Sequence, residues 1–241
     1  MSIYLTSDLH GDLKRFKKLL NTIRFDYTSD VMYILGDVLD RGTEGIALLD
    51  FVRPYCESET KPMRLLKGNH ELFAQMYLEG TLSIRQWSAW GGAQTAEQLQ
   101  KLSEGEREDR YHFIKNLKHY EALTNSDGKE IVLTHSGIHA DYIVEAAEGI
   151  DVSASIEKAV EANEFEYLIS NDLFYVPRTV TKRFKQFLIV GHTPVMYTRE
   201  DGSYEIIIED TYMCIDSGAG HRKQGGKMSV YRMDDGKIFY L

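Results

Sequence analysis

An α/β fold, with buried strands covered by helices, is predicted by three observations: short apolar runs that recur along the chain, helical stripes between them, and turn signals near the end. The runs are "SIYLTSD" (2–8), "VMYILGD" (31–37), "MRLLKGN" (63–69), "EIVLTHS" (130–136), "FLIVGHT" (187–193) and "MCIDSG" (213–218). Each is apolar at consecutive positions and closed by polar residues, the pattern of a strand buried on both faces. Leu13, Phe16, Leu20 and Ile23 then recur at steps of three and four, as one face of an amphipathic helix does. Ile46, Leu49 and Val52 continue the pattern, as do Tyr111, Ile114 and Leu117. After "GHTP" (191–194), "REDGS" (199–203) and "MDDGK" (233–237) predict hairpin turns, the second between "KMSVYR" and "KIFYL". The C-terminal part therefore reads as mainly antiparallel β.

With 43% of its 241 residues hydrophobic, the chain can bury a substantial core. Four prolines and the lack of a low-complexity tract, linker or repeat favour a single domain spanning 1–241. Cys56 and Cys214 lie far apart without C-x-x-C spacing, which argues against a disulfide framework or zinc knuckle and for a reducing compartment. The start, "MSIYLTSDLHGD", has no basic region followed by a long apolar stretch, so a cytoplasmic protein that does not engage membranes is expected. A net charge of −9 argues against an extended nucleic-acid partner but not against a small phosphate-containing substrate. Acids that bind divalent metal contribute to that negative count until the metal neutralises them.

The residues that follow the predicted strands carry the chemistry. They are Asp8 and His10, then Asp37, Asp40 and Arg41, then Asn69 and His70, then His135, then His192. In a sheet of mostly parallel strands those ends gather along one edge, where ligands bind. Carboxylate, amide and imidazole without thiolate suit a two-metal site for manganese, iron or zinc. Taken singly, Asp8 or Asp37 also fits a helix cap, and His135 or His192 a hydrogen-bonded structural histidine. Their joint occurrence in order favours the site.

"SDLHG" (7–11), "GDVLDRG" (36–42), "GNHE" (68–71), "THSG" (134–137) and "GHTP" (191–194) together resemble the ordered signature of the phosphoprotein phosphatase branch of the calcineurin-like metallophosphoesterases. The size is similar to the compact bacterial and phage members. Ser7 stands where the family usually has Gly, and "THSG" replaces the commoner "VHAG"; both keep the ligand. The resemblance implies two facing mixed β-sheets flanked by helices, a four-layer αββα arrangement. It also implies two divalent metal ions, manganese foremost. Asp8 and His10 would hold one, Asp37 would bridge, and Asn69, His135 and His192 would hold the other. A metal-bridging hydroxide would then attack the phosphoryl group.

By the same resemblance His70 is the general acid for the leaving group, Asp40 orients its imidazole, and Arg41 binds phosphate oxygens. A second arginine is usual in the family, and Arg178 in "FYVPRTV" is the candidate. Glu71 reads as a first-turn helix acid or a partner of the ligands, His112 and His119 as solvated, and His221 as a residue that could face substrate. Three functions are open. The first is a serine/threonine protein phosphatase acting on phosphorylated protein. The second is a symmetrical dinucleoside tetraphosphate hydrolase, in which Trp87, Trp90 or tyrosines around 80–120 would stack a base. The third is a non-catalytic module that binds metal and phosphoprotein; the intact Asp40, Arg41 and His70 set argues against it.

Overall fold

The computed structural model describes residues 1–125 and 127–241. The chain begins β1 (Ile3–Thr6), α1 (Leu13–Ile23), β2 (Val31–Ile34), α2 (Gly45–Glu57) and β3 (Met63–Leu65). Four helices follow: α3 (Asn69–Leu78), α4 (Ile84–Ala89), α5 (Ala93–Gln100) and α6 (Glu104–Lys115). Next come β4 (Tyr120–Thr124), β5 (Glu130–Thr134), the small hairpin of β6 (Glu145–Ala146) and β7 (Gly149–Ile150), then α7 (Val152–Ile169) and α8 (Arg178–Thr181). The chain closes with β8 (Phe187–Val190), β9 (Ile207–Ile208), β10 (Tyr212–Cys214), β11 (Ser229–Arg232) and β12 (Lys237–Tyr240).

Two five-stranded sheets result, ordered β12-β11-β1-β2-β3 and β4-β5-β8-β10-β9. The β1-β2-β3 and β5-β8-β10 neighbours are parallel, and the outer pairings are antiparallel. Alternation along each strand explains why the runs are apolar at every position. Met32 and Ile34 face the α1–α2 side, whereas Tyr33 and Leu35 enter a core shared with Ile131, Leu133 and Ile189 of the other sheet. Val132, Leu188 and Val190 point away from that shared core, onto α7. Helices, sheet, sheet and helices thus form four layers, as the resemblance implies.

Helix α1 is held at its start by Asp12, whose carboxylate accepts from Arg15 N. The predicted hairpin at 233–237 joins β11 to β12 through Gly236 at φ +70°. The one at 199–203 does not form: no strand precedes this turn, which Arg199 closes by pairing with Asp201. Among the described residues Cys56 and Cys214 are free, and no helix is long and apolar enough to cross a membrane.

Candidate metal centre and active site

The parallel strands deliver their C-terminal ends to one edge, and the loops leaving them double back sharply. Asp8, His10, Asp37, Asp40, Arg41 and His192 all have φ between +44° and +68°. Side chains other than glycine reach that region at a cost of order 1–3 kcal/mol each, so the surroundings must hold them there. Main-chain hydrogen bonds do much of this: Asp8 N donates to Gly36 O, His10 N to Asp37 O and Gly11 N to Val38 O. Glu71, fully buried at the start of α3, adds a clamp. Its carboxylate accepts from the backbone N–H groups of Asp37 (2.7 Å), Val38 (2.9 Å), Leu39 (3.3 Å) and Gly68 (3.0 Å). Gly68 must be glycine here, because a Cβ would lie 2.2 Å from Asp37 Oδ1.

The histidine tautomers follow from their outer hydrogen bonds. His135 Nδ1 donates to Leu35 O at 2.7 Å, which leaves Nε2 with its lone pair. His192 is held likewise by the Ile169 carbonyl. His135 Nε2 lies 2.9 Å from Asn69 Oδ1 and 3.2 Å from His192 Nδ1, and His192 Nδ1 lies 3.0 Å from the same Asn69 oxygen. Three lone-pair donors facing one another repel unless a cation sits among them. Asp37 Oδ1 is 3.5 Å from His135 Nε2, and the Asp37, His135 and His192 ligand atoms all lie within 4.8 Å of one another.

A second convergence lies on the other side of Asp37. His10 Nδ1 donates to Leu39 O at 3.1 Å and turns Nε2 toward Asp8 Oδ1 (3.9 Å) and Asp37 Oδ2 (4.0 Å). Asp8 Oδ2 accepts from His192 N and from the Ser7 hydroxyl, while the buried Oδ1 has no partner. Burial, then Arg41 and His70 nearby, drives the His10 pKa well below the ordinary value; burial and His135 do the same to His192. Both rings are therefore neutral, as ligation requires. Burial also pushes the Asp37 carboxyl well up, with Asp8 adding to the effect. A pair of divalent cations would relieve these buried acids, and the donor set fits two such ions.

His70 belongs to the His10 and Asp37 cluster by distance, yet its contacts differ. Nδ1 bonds Asp40 Oδ2 at 2.7 Å, and the same oxygen accepts from Trp87 Nε1 at 2.7 Å. Nε2 faces the Arg41 guanidinium at 3.4 Å. A guanidinium against that nitrogen suits a phosphoryl site better than a metal ligand. Burial alone would lower the His70 pKa, but Asp37 and Asp40 outweigh it and leave the pKa raised.

Beside this centre a cavity of about 580 Å³ is lined by Arg41, Asn69, His70 and His192 and by an aromatic wall. Phe73 stacks near Trp90 with ring centroids 4.5 Å apart, and Phe165 lies 6.4 Å from Trp90. Trp90 is 41% exposed, whereas Trp87 is fully buried.

The structure gathers Asp8, His10, Asp37, Asp40, Arg41, Asn69, His70, His135 and His192. It does not bring Arg178 to them. That side chain is 66% exposed and pairs with Glu209 (3.0 Å) and Asp210 (3.5 Å). These acids precede β10, which runs parallel to β8, so Arg178 sits at the strand entries, across the sheet from the candidate ligands at the strand exits. His119 is not solvated as expected but bonds Glu164 at 2.7 Å, whereas His112 is exposed. Sequence reasoning passed over Asp216, whose buried carboxyl is pushed well up by burial and by Asp8. It follows β10 as Asp8 follows β1, and that strand-end pattern was its signal.

Comparison with known proteins agrees with this geometry. The model of the calcineurin-like phosphoesterase family matches residues 1–196. A protein of Nitrosospira multiformis named "Bis(5'-nucleosyl)-tetraphosphatase, symmetrical" is 27% identical over 68% of this chain and 53% of its own. One of the same name from Hamiltonella defensa is 24% identical over 86% of this chain and 70% of its own. The chain thus spans about half the length of the first of these relatives. Among solved structures, a protein serine/threonine phosphatase of Saccharomyces cerevisiae aligns with a TM-score of 0.66 at 15% identity, over 100% of this chain and 79% of its own. A metallophosphoesterase of Sphaerobacter thermophilus aligns with a TM-score of 0.54 at 17% identity, over 100% and 87%. At such identities the two structures speak for the fold.

Proposed function

Because the chain belongs to the calcineurin-like phosphoesterase family, we propose that it hydrolyses phosphoric esters or anhydrides at a centre of two divalent cations, with symmetrical dinucleoside tetraphosphates as substrates. The observation that carries the two-cation reading is the set of lone pairs at Asn69, His135 and His192, together with the unpartnered Asp8 Oδ1. Asp8 and His10 would hold one ion and Asn69, His135 and His192 the other, with Asp37 shared. Cations held there would polarise phosphoryl oxygens and would bring the pKa of bound water to roughly 7.

The chain's own groups supply the rest. Arg41 binds phosphoryl oxygens through its guanidinium. His70 holds a proton at Nε2 for the leaving oxygen, while Asp40, itself fixed by Trp87, sets the tautomer and plane of the ring.

Two observations support a dinucleotide. The exposed Trp90 with Phe73 and Phe165 offers a stacking face beside His70, and the curated relatives above carry that activity in their names. The phosphoprotein reading, ranked first by sequence, is favoured by a different one: Arg41 is the one arginine or lysine lining the cavity among the described residues, which matches a single phosphoryl group.

The test is phosphate and nucleotide release by the manganese-loaded protein from diadenosine tetraphosphate and from a phosphothreonine peptide, with kcat/KM compared. A large preference for the dinucleotide, with ADP as sole product, is expected. Preference for the peptide would replace this reading with the protein phosphatase.

A further inference from the structure

Resting on the dinucleotide reading, we propose that a symmetrical substrate is held at both ends, one base on the Trp90 wall and the other on a second platform made by Tyr197 and His221. Neither residue lines the cavity described above, yet His221 is tied to it through Arg41, and Tyr197 meets His221. On one side of this arginine, its backbone N–H donates to Gly91 O at 3.0 Å, next to Trp90. On another, Nη1 lies 3.4 Å from His221 Nε2, while Nη2 reaches His70. The turn Ala219–Gln224 packs tightly at this point: a Cβ at Gly220 would lie 2.6 Å from His10 Cδ2 and 3.0 Å from Arg41 Cδ.

The platform is exposed and prearranged. Tyr197 is 63% exposed in the segment after His192, and its ring meets His221 edge-on with centroids 5.7 Å apart. Arg222 fixes the turn by pairing with the buried Asp12 at 2.7 Å, so His221 does not depend on substrate for its place. Partial burial, then Arg41, lowers the His221 pKa, which keeps the ring neutral near pH 7. Of the large apolar side chains exposed among the described residues, Trp90 and Ile169 line the cavity, and Tyr197 lies against His221. An aromatic face in water offers a base a stacking partner without first requiring a core contact to break.

Two anchors also solve a problem of register. Cleavage at the middle of a tetraphosphate requires that the bond chosen be equally far from both nucleosides. With one base held, the bond is set from one end only, and the flexible phosphate chain can slip by a unit. With both held, the central bond would lie beside Arg41 and His70. Water oxygen then bonds to one central phosphorus as the bridging P–O bond breaks. The bridging oxygen leaves with the other half and takes a proton from His70, while the proton lost by water passes to solvent. One water and one dinucleoside tetraphosphate give two nucleoside diphosphates.

The experiment compares manganese-loaded wild type, Trp90→Ala, Tyr197→Ala and Tyr197→Phe. It measures calorimetric binding of a non-hydrolysable diadenosine tetraphosphate analogue, KM and products on diadenosine tetraphosphate, and turnover of p-nitrophenyl phosphate. Each alanine variant is expected to weaken the analogue by about 5- to 100-fold, the range of one lost base stack. Tyr197→Phe should retain most of the affinity. Tyr197→Ala should also release some ATP and AMP beside ADP, and lose far less on p-nitrophenyl phosphate, which carries no nucleoside. Analogue affinity in Tyr197→Ala equal to wild type, with Trp90→Ala weakened, overturns the second platform and leaves the function standing. Wild type that neither binds the analogue nor cleaves the dinucleotide, yet turns over the phosphothreonine peptide, overturns the function itself.

Discussion

At the exits of β1, β2 and β8 the site rests on strained backbone with positive φ, whereas its aromatic wall rests on α3, the end of α4 and α7, where no positive φ is needed outside glycine. Six of the eight non-glycine residues with positive φ among those described lie in the loops of the candidate metal centre, so strain is concentrated there. Those loops are pinned by main-chain bonds and by the four N–H groups converging on Glu71. The wall is pinned by side chains. Phe165 follows Glu164, which sits just beyond a break in α7 at Asn163 and pairs with the buried Lys67 and with His119, each at 2.7 Å. Chemistry is thus held by backbone over-determination, and the surface that meets the rest of the substrate by replaceable contacts. Substrate choice can vary on such a design without disturbing the reaction.

The sharpest break in that contrast is His70→Asn. Loss of the proton donor should cost about 10²–10⁴ in turnover of a poor leaving group such as a phosphothreonine peptide, and much less on p-nitrophenyl phosphate. Equal losses on both substrates would remove the general-acid role from His70.

Glu71→Gln tests the loops directly. An amide cannot accept from four backbone donors, because its NH₂ meets N–H groups on one side. We expect metal affinity to fall about 10- to 100-fold, read by competition with a chelator. Affinity equal to wild type would mean the main-chain bonds alone suffice.

The smallest effect belongs to Glu164→Gln, beneath the wall. Burial would raise the Glu164 pKa, but hydrogen bonds from His119 and Lys67 override it and hold the carboxyl at about 2. A depressed folded-state pKa gives stability that is present above the unfolded value and lost as pH falls through the folded one. With partial exposure allowed for, about 1–2 kcal/mol is at stake, or roughly 2–8 °C in Tm. The Tm gap between variant and wild type should be full at pH 7 and shrink between about pH 4.5 and pH 2. A gap independent of pH would show that the pairing adds nothing through the charge of Glu164.

Sequence by itself marked out the candidate ligands that the fold gathers, because each one follows its strand within a few residues and a strand buried on both faces leaves a run that periodicity detects. It determined the helical stripes over α1, α2 and α6 for the same local reason. Tertiary structure decided what depends on faces meeting across the chain. Trp87 reaches Asp40 over 47 positions and is thereby core, while Trp90, three residues on, is left exposed in the cavity. Arg178, close in sequence to the "GHTP" block, is carried to the far end of its sheet by the direction in which β8 and β10 run. Residue type and spacing describe a segment of chain, but the partner of a side chain is set by which strand ends and helix faces the whole core brings together.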